Sequence, residues 1–181
     1  MQEKILEKHI GWQKRVLNVF AILVLFLIAA ISLQVFSSLL DINPLIAFDQ
    51  PVVLFGKAIT LNSLLDLQWH FLCMIGLLPA GVVWLMNSHV RVDFIYAEQS
   101  KRGKAIIELV GHLVFATPFL FMSVPAAWTF MKSAYSSGQG SRNDGLNDLF
   151  LVKATLPFGL LLLALVLLYD VFVQLRRLKA R

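Results

Sequence analysis

Side chains able to do chemistry within or beside the apolar stretches of this chain are few: Asp66, His70, Cys73, Glu108, His112, Lys153 and Asp170. Two histidines in apolar runs invite a test for bis-histidine haem. His70 lies six residues past Leu64 and His112 six past Ile106, where two apolar runs start from opposite faces. At 1.5 Å per residue each is about 9 Å deep. In a ~30 Å hydrocarbon core their heights then differ by about 12 Å, whereas one iron needs both rings at roughly 2 Å. The spacing favours histidines hydrogen-bonded inside a helix bundle, with a quinone contact as the residual reading. The acidic residues and Lys153 fall near the ends of the runs, where they can snorkel or face headgroups. The central portions hold no Asp, Glu, Lys or Arg, the groups that mark ion or proton pathways. Cys73 is the sole cysteine, which excludes an intramolecular disulfide and a cysteine metal site. No nucleophile–base or metal-ligand spacing is present, so the expectation is a non-enzyme with no catalytic, cofactor-binding or metal-binding residue.

The elements that must position these groups are set by composition. Of 181 residues, 58% are hydrophobic and 15% charged, against about 25% charged in an average globular chain. The mean hydropathy is +0.74, and so small a body cannot hide that surplus from water. Lipid is therefore the solvent for much of the chain. Four stretches, about 16–40, 64–86, 106–131 and 149–172, reach the roughly 20 apolar residues that a spanning helix requires. The expected fold is an all-α integral membrane protein: residues 16–172 form one four-helix domain, preceded by a cytoplasmic segment 1–15 and followed by a basic tail 173–181. The first run is too long for a signal-peptide h-region and lacks an A-x-A end, so it is expected to remain as an anchor.

Lys and Arg are divided twelve to four between the two sides of this layout. The positive-inside rule then predicts both termini in the cytoplasm. The same basic loops account for the net charge of +5 without nucleic acid. The opening segment QEKILEKHIGWQKR reads as a short amphipathic helix on the inner leaflet. The first outer loop, DINPLIAFDQPVVLFGKAITLN, is apolar for a solvated loop and is barred from one helix by its prolines. It is expected to lie at the interface or against a partner.

Several polar and small residues read as contacts between helices. Gln34, Gln68 and His70 fall at similar depths and can hydrogen-bond across spans. Gly76 and Ala80 form a small-xxx-small pair. Pro79 is expected to kink span two, and Pro118 and Pro125 to bend span three. Trp69, Trp84 and Trp128 lie toward span ends, as an interfacial belt predicts.

The most informative string is the second cytoplasmic loop with its flanks, from Leu67-Gln68-Trp69-His70-Phe71 through His89-Val90-Arg91-Val92-Asp93-Phe94-Ile95-Tyr96 to Glu108-Leu109-Val110-Gly111. It resembles the small membrane subunit, DctQ-type, of tripartite ATP-independent periplasmic (TRAP) transporters. Val152-Lys153-Ala154-Thr155-Leu156-Pro157, at the start of the last span, is similar to the same family, whereas the outer loop GQGSRNDGLND departs from its pattern. The resemblance implies a scaffold in the bacterial inner membrane, partnered by a large multi-span permease subunit, a periplasmic solute-binding protein and membrane lipids. The large subunit would hold the ion and substrate sites, and the solute would be an organic acid or related small molecule. It marks His89, Arg91, Asp93, Glu108, Gln68, His70, Lys153 and Pro157 as partner-facing or structural residues. An Arg91–Glu108 or Arg91–Asp93 pair would pin the connector between spans two and three. The alternative is a membrane anchor of a respiratory or quinone-linked complex.

Overall fold

The computed structural model describes residues 2–86 and 96–179. Four helical stretches are long and apolar enough to cross a membrane: Gly11–Leu39, Leu61–Leu85, Arg102–Ser136 and Phe150–Arg176. They match the four expected spans, with ends that differ by several residues. The first belongs to helix α1 (Gln2–Leu39). The amphipathic stretch expected as a separate short helix runs without a break into that span.

Spans two and three are interrupted where the sequence removes a backbone donor. Span two consists of α2 (Leu61–Leu77) and α3 (Ala80–Leu85). Pro79 lies between them; it has no N–H, and its ring crowds the carbonyl one turn back. The start of α2 is fixed by a reciprocal cap. The Ser63 amide donates to Thr60 Oγ1 at 3.0 Å and the Thr60 amide to Ser63 Oγ at 3.2 Å, satisfying two otherwise orphaned donors. Span three is α4 (Lys101–Gly111), a single π-helical turn (His112–Ala116) and α5 (Thr117–Ser136). The π turn ends just before Pro118, with the Thr117 amide donating to the His112 carbonyl. Such a turn relieves the ladder where a proline breaks it. Span four is α6 (Phe150–Lys179), which carries Pro157 in its interior.

The first outer loop is more ordered than an all-α reading implies. Strands β1 (Ile46–Val52) and β2 (Gly56–Ile59) form an antiparallel hairpin, pairing Ile46 with Ile59 and Val52 with Gly56. Its turn, residues 53–55, is Val-Leu-Phe.

Helix α6 is the hub. It packs against α2, α3, α4 and α5, whereas α1 packs on α2 and lightly on α3. Ring pairs mark the seams: Phe26 with Phe71 between α1 and α2, and Trp128 with Phe158 between α5 and α6, both at 6.3 Å between centroids. Backbones approach most closely where α6 crosses span two. A Cβ on Gly159 would sit 2.9 Å from the Leu77 carbonyl oxygen, and one on Gly81 3.0 Å from Val166. The small-residue contact expected at Gly76 is not there: Gly76 is exposed, and a Cβ on it would meet nothing within 4 Å. Few large apolar side chains are buried in the chain itself. The rest face outward, as side chains whose surroundings are lipid or protein must.

Candidate functional site

Two polar clusters tie the spans together, one at each end of the bundle. At the end that carries both termini, α4 and the π turn supply Glu108 and His112, and α6 supplies Asp170 and Gln174. Each pair is spaced four residues apart and so shares one helix face. The Gln174 amide nitrogen donates to Glu108 Oε2 and, at 3.3 Å, to Asp170 Oδ1. Trp84 of α3 donates its indole N–H to Asp170 Oδ2 at 3.2 Å. Tyr96 donates its hydroxyl to Glu108 Oε1, and Lys104 lies over the Tyr96 ring. His112 is 4% exposed. Its Nε2 lies 3.6 Å from Asp170 Oδ2, and its ring is 5.5 Å from that of Trp84. Spans two, three and four thus meet on two carboxylates.

Beside this cluster an apolar cleft of about 610 Å³ is lined by Trp84, Glu108, His112 and Phe115 among others. A second cleft, about 560 Å³, shares Phe119 with it and is lined also by Leu77, Phe130 and Leu160.

At the hairpin end, the start of α2 grips the connection between spans three and four. Asp66 Oδ2 accepts from the Leu146 amide at 3.0 Å, Thr60 Oγ1 donates to the Asp144 carbonyl at 2.9 Å, and the Asn62 amide donates to the Asn143 carbonyl at 2.6 Å. Leu146 is fully buried beneath this turn. Gly145 is required by the close approach: a Cβ there would lie 2.0 Å from the Asp66 carboxylate. Lys153 donates to Gln139 Oε1 at 2.6 Å and lies 3.9 Å over the Phe130 ring.

Five of the eight site residues expected from sequence lie among the described residues. Glu108 joins the first cluster. Gln68 reaches α1, donating to the Ala30 carbonyl at 3.4 Å rather than to Gln34. His70 is buried, with Nδ1 2.7 Å from the Asp66 carbonyl oxygen. It belongs to the hairpin end and His112 to the other, so the two histidines do not converge. Pro157 is fully buried in α6, two residues before the Gly159 crossing. His89, Arg91 and Asp93 lie outside the described residues. Asp66, Glu108, Lys153 and Asp170, which near the span ends could snorkel or face headgroups, are each hydrogen-bonded within the chain. Trp84, expected in an interfacial belt, is a donor to Asp170. Tyr96 ends the loop string that begins at His89, with no role expected of it, and Gln174 was not among the expected site residues. The four-residue spacing of Asp170 and Gln174, matching that of Glu108 and His112, was the available signal.

None of these groups forms a metal-binding trio among the described residues; what they do is join segments. Residues 53–177, well over half the chain, match the family described as tripartite ATP-independent periplasmic transporters, DctQ component. The chain belongs to the DctQ family. This DctQ component is one part of a multi-component transporter, and its family is one of transporter components rather than of enzymes. The match covers the hairpin tip, spans two to four and both polar clusters; all of α1 lies outside it. Neither a curated protein nor a solved structure matches the chain.

Proposed function

We propose that this DctQ component is the fixed small scaffold of an ion-driven uptake system for an organic acid or related small solute. It sits in the bacterial inner membrane and supports a large permease subunit that receives solute from a periplasmic binding protein. The observation that carries this reading is the use to which the span-end charges are put. Asp66, Glu108, Lys153 and Asp170 each hold another segment of the same chain. Groups committed to cross-links suit a rigid support, because a transport site must release and rebind its charge.

The His89–Arg91–Asp93 string is proposed to anchor the connector and present it to the large subunit. A guanidinium forks across a carboxylate, whereas an ammonium makes a point contact. Arg91→Ala should therefore reduce the large subunit recovered with this chain, with Arg91→Lys intermediate. The decisive experiment is reconstitution. Solute uptake should require this chain, the large subunit and the binding protein together, and ion-driven uptake by this chain alone would refute the scaffold role.

A further inference from the structure

We propose that the hairpin of β1 and β2 is a membrane-interface element whose apolar edge rests in the headgroup region of the leaflet at its end of the bundle. The inference rests on the membrane fold and is independent of the scaffold role.

The hairpin is tied down at both ends, and those ties set its height. At its base the Leu45 amide donates to the Ile59 carbonyl, and Asn43 accepts from the amide of Leu61, the first residue of α2. At its tip the Asn147 amide donates to the Leu54 carbonyl at 2.7 Å. Asn147 lies three residues before Phe150, where α6 begins. The strands therefore run from the ends of α1 and α2 to the start of α6, across the end of the bundle. Every anchor is within a few residues of a spanning helix.

Exposed apolar side chains run along the chain from the end of α1 into the strap. Phe36 and Leu39 close α1, Leu40 follows it, and Ile46, Val52 and Val53 come next on the hairpin, with Val53 78% exposed. Asp41 is the one charged residue between Phe36 and Ile46. Gly56, at φ 64°, closes the turn as hairpins commonly do. Its central residues are nevertheless apolar, Val53-Leu54-Phe55, with Val53 at the exposed tip. Leu54 stands at φ 73°, a left-handed conformation that costs a leucine energy. Its carbonyl bond to Asn147 holds that conformation.

Backbone hydrogen bonding limits the depth. The outward N–H and C=O groups of a two-stranded hairpin have no partner in hydrocarbon, but headgroups and interfacial water supply one. Asp49, Gln50 and Lys57, all exposed, add polar side chains to the strap. Exposed apolar and charged side chains side by side suit a membrane interface.

The test uses the full chain carrying Cys73→Ser, with Val53→Cys or Asn143→Cys labelled by an environment-sensitive nitrobenzoxadiazole probe. Asn143 is exposed on the adjoining connection. The protein is reconstituted into vesicles of equal parts phosphatidylethanolamine and phosphatidylglycerol, with or without phosphatidylcholine spin-labelled near the headgroup. The probe at position 53 should emit further to the blue and be quenched several-fold more by the spin-labelled lipid than the probe at 143, which aqueous iodide should quench instead. Equal, iodide-dominated quenching at both positions would overturn the proposal. Loss of lipid quenching at position 53 once the other transporter components are bound would also overturn it, by showing that the edge is covered by protein.

Discussion

Trp84 and Asp170 lie 86 residues apart in the chain, and the indole N–H of one meets a carboxylate oxygen of the other at 3.2 Å. This contact joins α3 to α6 at the end where both termini emerge. A tryptophan near a span end is ordinarily an interfacial anchor, but here it is a cross-link.

A double-mutant cycle separates those roles. Trp84→Phe removes the donor and Asp170→Asn removes the charge while keeping the shape. The two should be coupled by about 0.5–3 kcal/mol in thermal unfolding of the purified chain. Asp170→Asn should be the more damaging single change, because Gln174 and His112 also face that carboxylate. Strict additivity would return Trp84 to the interfacial belt.

Gly145→Ala should break the grip of α2 on the span three–span four connection. The new methyl would have to displace the Asp66 carboxylate from 2.0 Å away. Losing the bond to Leu146 strands a buried group at a cost of about 1–3 kcal/mol. Proteolysis within 137–149 should accelerate, and adding Asp66→Ala to Gly145→Ala should bring little further loss.

Two glycines of similar appearance should respond in opposite ways. Gly159→Ala drives a methyl toward the Leu77 carbonyl at 2.9 Å, and overpacking of this kind costs about 1–3 kcal/mol. Gly76→Ala fills open space on a helix and should stabilise by about 0.5–1 kcal/mol. Unfolding midpoints of the two variants decide the matter.

Orientation is tested by impermeant thiol labelling of intact cells expressing the Cys73→Ser chain. Ser137→Cys should label from outside and Ser100→Cys only after permeabilisation, as the twelve-to-four Lys/Arg asymmetry requires. The reverse pattern would invert the topology.

The spans were legible because lipid imposes a demand that composition alone reveals: long apolar runs with every backbone group satisfied internally. The break at Pro79 was legible for a similar local reason. The fate of Asp66 was not. Its partner is the amide of Leu146, and nothing near position 66 says which distant turn will arrive there. Glu108 was recognised as structural, but its partners Gln174 and Tyr96 depend on helix rotation, which four apolar faces leave undetermined. The hairpin was hidden because its central turn residues are apolar and Gly56, at φ 64°, is the one conventional turn residue beside them. Gly76 misled because a small residue permits a close crossing without requiring one.

The position of α6 in the chain has a consequence for biogenesis. Spans two and three pack chiefly through α6, yet α6 is made last. While it is still inside the ribosome and translocon, Trp84 and Glu108 are already in the membrane without the Asp170 and Gln174 contacts that will hold them. The bundle is completed in one late step, when the final helix threads between two waiting neighbours. A chain stopped before Asp170 should insert its earlier spans yet fail to lock them, and its accumulation in cells should depend on the membrane quality-control proteases.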